Sequence, residues 1–187
     1  MNVVAGFTAE ASEYFNNNSS GKGFDIESLG YWNMGLANSS LLSVASGGNH
    51  SAIASWLGRV NYAYKGKYLA SVSFRADGSS KFAKNNKWGY FPSAALGWRI
   101  SEEDFMKDIS WIQNLKLRAS YGETGSQAIT AYQSLASFST TSYVLNGSSA
   151  VALVPGRVPN PDLKWETTKQ TDIGIDLSVL GGRISLV

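Results

Sequence analysis

The sequence predicts an all-β fold, an antiparallel meander that forms part of a large transmembrane β-barrel. Two patterns indicate this fold. Apolar and polar residues alternate with a period of two in several segments, which is typical of strands whose two faces meet different surroundings. The connections between these segments alternate between long polar stretches and minimal glycine turns. Transmembrane barrels show this asymmetry, with short turns at one rim and long loops at the other.

The clearest alternation lies in a hairpin that begins at Lys67. Its first arm separates an apolar side from a polar side, with Tyr68, Ala70, Val72, Phe74 and Ala76 opposed to Ser71, Ser73, Arg75 and Asp77. A polar link from Gly78 to Lys87 reverses the chain, and Asp77-Gly78-Ser79-Ser80 predicts an ordinary turn at its start. The returning arm opposes Ala94, Leu96, Trp98 and Ile100 to Ser93, Gly97 and Arg99.

Four further strands are predicted at residues 2–14, 52–65, 113–122 and 167–179. Lys65-Gly66 predicts a tight reversal between two of the strands, and Ser101 predicts the cap of a short helical turn. Long outer loops are predicted at about 15–50 and 123–165. A small hairpin is expected within the second loop, around Tyr132 to Val144.

A soluble carbohydrate-binding β-sandwich module is the alternative fold. Alternating strands are equally expected there, but a sandwich hides its apolar faces in a core and has short loops at both ends. Aromatic side chains near the predicted strand ends favour a membrane instead, since such rings suit the headgroup layer; they are Tyr62, Tyr64, Tyr68, Trp98 and Trp111. The loop aromatics Tyr31, Trp32 and Tyr143 suit either sugar stacking or loop packing.

Composition and charge exclude several classes of function. The formal net charge is +2 and the basic residues are spread along the strands, so no nucleic-acid partner is expected. The chain has no cysteine and a single histidine, His50, which is expected on a loop surface, so neither a metal site nor a cofactor is expected. No signal peptide and no run of roughly 18 apolar residues is visible. The last strand, from Arg183, stops in mid-pattern, and we expect a fragment.

The candidate ligand-binding residues are charged side chains on the predicted polar faces. Two interpretations stay open: contact with a substrate, or a wall network in which Asp77, Asp172 and Asp176 pair with the cations. The candidates, read as facing the lumen, are Arg59, Arg75, Asp77, Arg99 and Arg118. No catalytic residue is expected, because the adjacent Glu102 and Glu103 cannot face each other across a glycosidic bond. They predict a solvated helix start.

Several long motifs resemble SusC/RagA-type TonB-dependent outer-membrane transporters. The strings occur in the family's order: LGRVNYAYKGKYLASVSFRADGSS from Leu57, FRADGSSKFAKNNKWGYFPS from Phe74, GWRISEEDFMKD from Gly97, NLKLRASYGETG from Asn114 and NPDLKWETTKQTDIGIDL from Asn160. The resemblance spans about residues 52–187.

The resemblance implies a barrel of roughly 22 strands with a plugged lumen. It also implies a Gram-negative outer membrane, contact with outer-membrane lipids and energy supplied through TonB. The implied partner is a SusD-like surface lipoprotein, and the implied substrates are oligosaccharides or peptides. No plug domain or TonB box is recognisable. We therefore expect residues 1–187 to be one piece of barrel wall with outer loops, without enzymatic activity of its own.

Overall fold

The computed structural model describes the backbone of residues 1–187 and every side chain except those of residues 27, 29 and 30. Nine strands account for most of the chain: β1 Asn2–Ser20, β2 Ser43–Tyr64, β3 Tyr68–Ser79, β4 Trp88–Arg99, β5 Ile112–Ser126, β6 Ser137–Leu145, β7 Ser148–Arg157, β8 Glu166–Val179 and β9 Ile184–Leu186. Four 3-10 helices complete the described elements, at Glu27–Leu36, Ser39–Leu41, Ile100–Glu102 and Asp104–Met106. No described helix is long and apolar enough to cross a membrane.

The strands form one large sheet and one separate hairpin. Seven strands pair in the order β1-β2-β3-β4-β5-β8-β9, and β6 pairs with β7. Every pairing from β2 onward is antiparallel. The sheet is thus a meander between sequential neighbours, with the β6–β7 hairpin inserted between β5 and β8. This topology confirms the predicted antiparallel meander.

The chain divides into two compact units, Met1–Glu10 with Ala52–Val187, and Ala11–Ser51. The smaller unit contains the first two 3-10 helices. A side chain at Gly21 would lie 2.7 Å from the Cβ of the buried Ala37, so only glycine fits there. Asn38 donates its backbone N–H to the Lys22 carbonyl, and its side chain accepts from the Ser40 N–H. These bonds order the backbone of this unit without a large apolar core.

In the larger unit, strand register brings the apolar side chains onto one face of the sheet. The pairs Val60↔Val72 and Val72↔Ala94 show this alignment across three strands. The apolar face consists of Trp56, Val60, Tyr62, Tyr64, Tyr68, Val72, Phe74, Tyr90, Ala94, Leu96, Trp98, Leu117, Ala119, Tyr121, Ile173 and Ile175. All of its large side chains except the half-buried Trp98 are exposed, for example Leu96 at 65% and Ile173 at 80%.

The soluble sandwich alternative is wrong. A sandwich requires its apolar face to be buried against a second sheet. The only other sheet among the described residues is the β6–β7 hairpin, and the apolar face stays exposed. The other side of the larger unit's sheet carries mostly polar residues, and we call it the polar face. It includes Arg59, Asn61, Ser71, Ser73, Arg75, Ser93, Ala95, Arg99, Lys116, Arg118, Ser120, Asp172 and Asp176.

Two rims of the larger unit follow from the connections. The short-turn rim contains the Lys65-Gly66 turn, residues 100–111 and residues 180–183. The long-connection rim contains residues 80–87 and 127–165. Lys65 and Gly66 have φ of 51° and 69°, which fits the tight hairpin turn that the sequence predicts.

Several predicted boundaries are wrong. Strands β1 and β2 extend far into the expected 15–50 loop, and His50 lies in β2 rather than in a loop. These strands are hydrogen-bonded neighbours, and backbone pairing does not depend on apolar side chains. The hairpin expected at 132–144 lies at 137–157 instead. It turns at Asn146-Gly147, both with positive φ, a dipeptide that strongly favours such a turn.

Two predictions based on local capping and turn chemistry are also wrong. Asp77 and Gly78 belong to β3 and pair with Gly89 and Trp88, so the turn begins later, at Ser80. A side chain at Gly78 would lie 2.9 Å from the Trp88 indole, which explains a glycine within this strand. Ser101 lies inside its 3-10 helix, and no side chain caps that helix.

Candidate functional site

One carboxylate on the polar face pairs with two of its cations. Lys116 lies directly opposite Asp176 in the β5–β8 register. The Lys116 Nζ lies 3.2 Å from Asp176 Oδ2, and the Arg118 Nε donates to Asp176 Oδ1 at 3.0 Å. Each oxygen of Asp176 therefore binds a different cation. This arrangement is the wall network that the sequence offered as one of its two interpretations.

Two glycines of the wall make room for these long side chains. A Cβ on Gly174 would lie 2.9 Å from the Arg118 Nε, so the guanidinium lies directly against the backbone of β8. A Cβ on Gly97 would lie 3.3 Å from the Lys116 Cε. Side chains at these two positions would push the cations away from the wall and from Asp176.

A second network lies closer to the long-connection rim. Arg75 donates to Asp77 two residues further along β3, at 3.0 Å from Nη2 and 3.4 Å from Nε. One hydroxyl pair links β3 to β4 nearby, since Ser73 Oγ lies 2.6 Å from Ser93 Oγ. Asp172, expected to pair with a cation, instead accepts from Gln170.

Two of the predicted candidates remain without a carboxylate. Among the residues whose side chains are described, Arg59 and Arg99 form no ion pair, and both are exposed. Arg99 lies directly opposite Lys116, so two cations are neighbours at that point of the polar face. The structure therefore separates the candidates into paired residues (Arg75, Asp77, Arg118) and unpaired ones.

The buried apolar core of the larger unit lies at the long-connection rim, and we call it the rim core. It consists of Phe82, Phe91 and Trp165, exposed at 2%, 7% and 9%. The Trp165 ring centroid lies 4.8 Å from that of Phe82 and 5.4 Å from that of Phe91. Partly buried apolar side chains pack around it: Ile53, Ile129 and Leu163. Three connecting segments, at residues 80–87, 127–136 and 158–165, thus converge on β4 through one aromatic cluster.

Hydrogen bonds reinforce the rim core. Trp165 donates its Nε1–H to the Lys87 carbonyl at 2.9 Å, and the same carbonyl accepts from the Ser79 N–H at 3.0 Å. Ser79, exposed at only 1%, donates its hydroxyl to Gln127 at 2.7 Å. The sequence did not predict this cluster, because its members come from motifs up to 83 residues apart, at Phe82 and Trp165.

At the short-turn rim, Glu103 accepts three hydrogen bonds. The donors are Lys67 Nζ at 2.9 Å, Tyr68 Oη at 2.7 Å and Trp98 Nε1 at 3.0 Å. The predicted solvated helix start is wrong for this residue, whose side chain is only 14% exposed. The hydrogen bond from Lys67, followed by those from Tyr68 and Trp98, lowers the pKa of Glu103 to about 2.

This shift predicts a specific pH dependence. Because the folded pKa of Glu103 lies below its ordinary value of 4.5, the folded state favours the carboxylate. The contribution of Glu103 to stability is complete above about pH 4.5 and is lost as the pH falls towards 2. The difference in thermal midpoint between the full-length receptor and its Glu103→Gln variant should stay constant from pH 8 to 5 and shrink below pH 4.5.

The neighbouring Glu102→Gln is the matched control. It removes the same charge from an exposed carboxylate that forms no ion pair in the described part of the chain. A midpoint difference for Glu103→Gln that was no larger than that for Glu102→Gln would contradict the proposed contribution.

No group of three or more metal-binding side chains occurs among the described residues.

Comparisons with known proteins agree with this geometry. A family model described as "TonB dependent receptor-like, beta-barrel" matches residues 3–187. TonB-dependent receptor P26 of Formosa agariphila is 47% identical over 132 residues, which are 71% of this chain and 13% of that protein. TonB-dependent receptor SusC of Bacteroides thetaiotaomicron is 40% identical over 146 residues, covering 72% of this chain and 14% of SusC.

The fold also matches solved structures. One described as "Structure of the RagAB peptide transporter" superposes with a TM-score of 0.81 and 27% identity, covering 98% of this chain and 20% of that chain. The RagAB peptide importer in its "open-open" state gives a TM-score of 0.79 and 29% identity, covering the same shares. The chain spans only 13–14% of the length of the curated relatives. Its sequence and sheet nevertheless show that the chain belongs to the TonB-dependent receptor family, as part of a large transmembrane β-barrel of the SusC/RagA type.

Proposed function

We propose that the chain forms part of the wall and outer loops of a nutrient importer in the outer membrane of a Gram-negative bacterium. The observation that carries this proposal is the family match along residues 3–187. The two faces of the sheet support it. An exposed apolar face suits contact with lipid, and a polar face with paired charges suits a water-filled or protein-filled lumen.

The proposed substrates are oligosaccharides or peptides. The relative with a solved structure is described as a peptide transporter. In the smaller unit, Tyr31 and Trp32 are exposed and their ring centroids lie 4.8 Å apart, an arrangement on which a sugar ring could stack. Energy supplied through TonB and a SusD-like surface lipoprotein as partner are further parts of this proposal. No catalytic step belongs to it.

Uptake by intact cells tests the substrate proposal. Cells that lack the full-length receptor should lose accumulation of a labelled oligosaccharide or of a labelled peptide, and the complemented strain should regain it. The assay uses a panel of labelled oligosaccharides and peptides. If the strain that lacks the receptor accumulated every one of them at the wild-type rate, the proposal would be contradicted.

Within this function, we propose that Arg59 and Arg99 contact the substrate. Both are exposed on the polar face and have no carboxylate partner in the part of the chain whose side chains are described. Arg59→Gln or Arg99→Gln in the full-length receptor should weaken substrate binding about tenfold, the expected effect of one lost charge-assisted hydrogen bond.

The matched control is Arg75→Gln, since this arginine already pairs with Asp77 within its own strand. Its effect on substrate affinity should be small. Calorimetric titration of each purified receptor variant with the transported substrate measures its affinity for that substrate. Unchanged affinity in both Arg59→Gln and Arg99→Gln would exclude them as substrate contacts and would leave the importer proposal intact.

A further inference from the structure

Three aromatic rings form a continuous row at the short-turn rim, and we call it the ring row. Tyr64, Tyr68 and Trp98 come from three successive strands and lie on the apolar face. The centroids of Tyr64 and Tyr68 lie 6.4 Å apart, as do those of Tyr68 and Trp98. The rings are nearly parallel, with interplanar angles of 28° and 12°. Aromatic side chains at the rim of a transmembrane sheet suit the headgroup layer of a membrane.

Glu103 fixes the orientation of two of these rings. Its carboxylate accepts from the Tyr68 hydroxyl and from the Trp98 indole N–H, and a third bond from Lys67 holds the carboxylate itself. The Tyr68 hydroxyl and the Trp98 indole N–H therefore both point towards the Glu103 carboxylate, which lies outside the strands. A carboxylate held in this way keeps the rings in place before any lipid binds.

Lys65 is a cation at this rim that has no carboxylate partner in the part of the chain whose side chains are described. Lys67 is paired with Glu103, and Lys107 with Asp104. Lys65 is exposed and forms no ion pair in the described part of the chain; its Nζ lies 5.4 Å from the centroid of the Tyr64 ring. The end of the ring row therefore carries a free positive charge.

We propose that the ring row and Lys65 form a binding site for the phosphate headgroup of a glycerophospholipid. The apolar face continues directly from the ring row through Tyr62 and Leu96, so bound acyl chains would lie on a surface that already faces lipid. Lys65 would contact the phosphate, as an interfacial lysine contacts anionic headgroups. Glu103 is a positioning residue that acts through Tyr68 and Trp98.

The site is independent of the transported substrate, because it lies on the apolar face and uses none of the candidate arginines. Phosphate chemistry has two sources here, a lipid headgroup and free inorganic phosphate. Only the lipid also accounts for three rings in a row beside the charge. The experiment must therefore separate these two sources.

Photocrosslinking in the full-length receptor provides a local readout. The photoreactive residue p-benzoylphenylalanine replaces Tyr62, which lies on the apolar face beside the ring row and is 49% exposed. The receptor is reconstituted in vesicles of dioleoylphosphatidylcholine with equal small amounts of dioleoylphosphatidylethanolamine and dioleoylglycerol, which lacks phosphate. Mass spectrometry then measures the ratio of the two crosslinked minor lipids.

We expect the phosphate-bearing minor lipid to be enriched about fivefold over dioleoylglycerol. Lys65→Gln should abolish the enrichment, Glu103→Gln should reduce it, and Lys107→Gln should leave it unchanged because Lys107 already pairs with Asp104. Equal crosslinking of both minor lipids by the receptor that carries only the photoreactive residue at position 62 would overturn the proposal. So would enrichment that survives Lys65→Gln. Loss of the enrichment in 10 mM inorganic phosphate would identify free phosphate as the ligand and would overturn the lipid assignment.

Discussion

Replacing Trp165 by alanine should lower the free energy of unfolding of the full-length receptor by about 3–5 kcal/mol, the usual cost of removing a buried tryptophan side chain. The indole is 9% exposed and contacts both Phe82 and Phe91. Its removal also leaves the Lys87 carbonyl with one donor fewer. Because three connections meet at the rim core, the loss should loosen all of them together.

Denaturant unfolding measures this stability, and limited trypsin digestion shows where the structure opens. Lys84, Lys87 and Lys164 are exposed cleavage points beside the rim core, and each should be cut faster in Trp165→Ala. Trp165→Phe keeps a ring but loses the hydrogen bond, so it should cost about 1 kcal/mol. Trp111→Ala, at the other rim and 57% exposed, is the control. Equal effects at Trp111 and Trp165 would contradict a rim core that holds these connections.

A single arginine substitution should lower the folding stability much more on the apolar face of β4 than on its polar face. Ala94 and Ala95 are identical neighbours on opposite faces of the sheet. Ala94 is aligned with Val72 and Tyr121 on the apolar face, and Ala95 with Ser71 and Ser120 on the polar face. Ala94→Arg should cost about 2–4 kcal/mol near the bilayer midplane, and Ala95→Arg considerably less.

The measurement is the folding free energy of each full-length variant in lipid vesicles, with the heat-dependent mobility of the folded barrel as a check on assembly. The two substitutions add the same side chain to the same residue type, so their difference isolates the surroundings of each face. An equal cost at both positions, or a greater cost at Ala95, would show that the apolar face does not contact hydrocarbon.

The strand pattern of this protein could be predicted well where side chains alternate. In β3, the residues from Tyr68 to Ala76 predict the face that each occupies, because a strand's side chains alternate strictly between two sides. Prediction was poor in β1 and β2, where Asn and Ser residues extend the strands. Backbone hydrogen bonds between neighbouring strands form there without any apolar pattern, so composition alone resembles a loop.

The candidate site could be predicted only in part. The sequence placed Arg75 and Arg118 on the polar face and named Asp77 and Asp176 as acceptors, but it could not match each cation to its carboxylate. That match depends on register, which brings Lys116 opposite Asp176 although 60 residues separate them. The hydrogen bonds of Glu103 could not be predicted for a similar reason, since its donors Lys67 and Tyr68 lie 36 and 35 residues away in the sequence.

The sequence by itself therefore determined which side chains share a face, and through its motifs the family, because both are properties of local order along the chain. Only the tertiary structure decided which charges are neutralised, which aromatic rings are buried and which residues hold the two rims. These features depend on distances between segments remote in sequence, and antiparallel register sets those distances. The rim core is the clearest case, since Phe82 and Trp165 lie in separate motifs and meet only through folding.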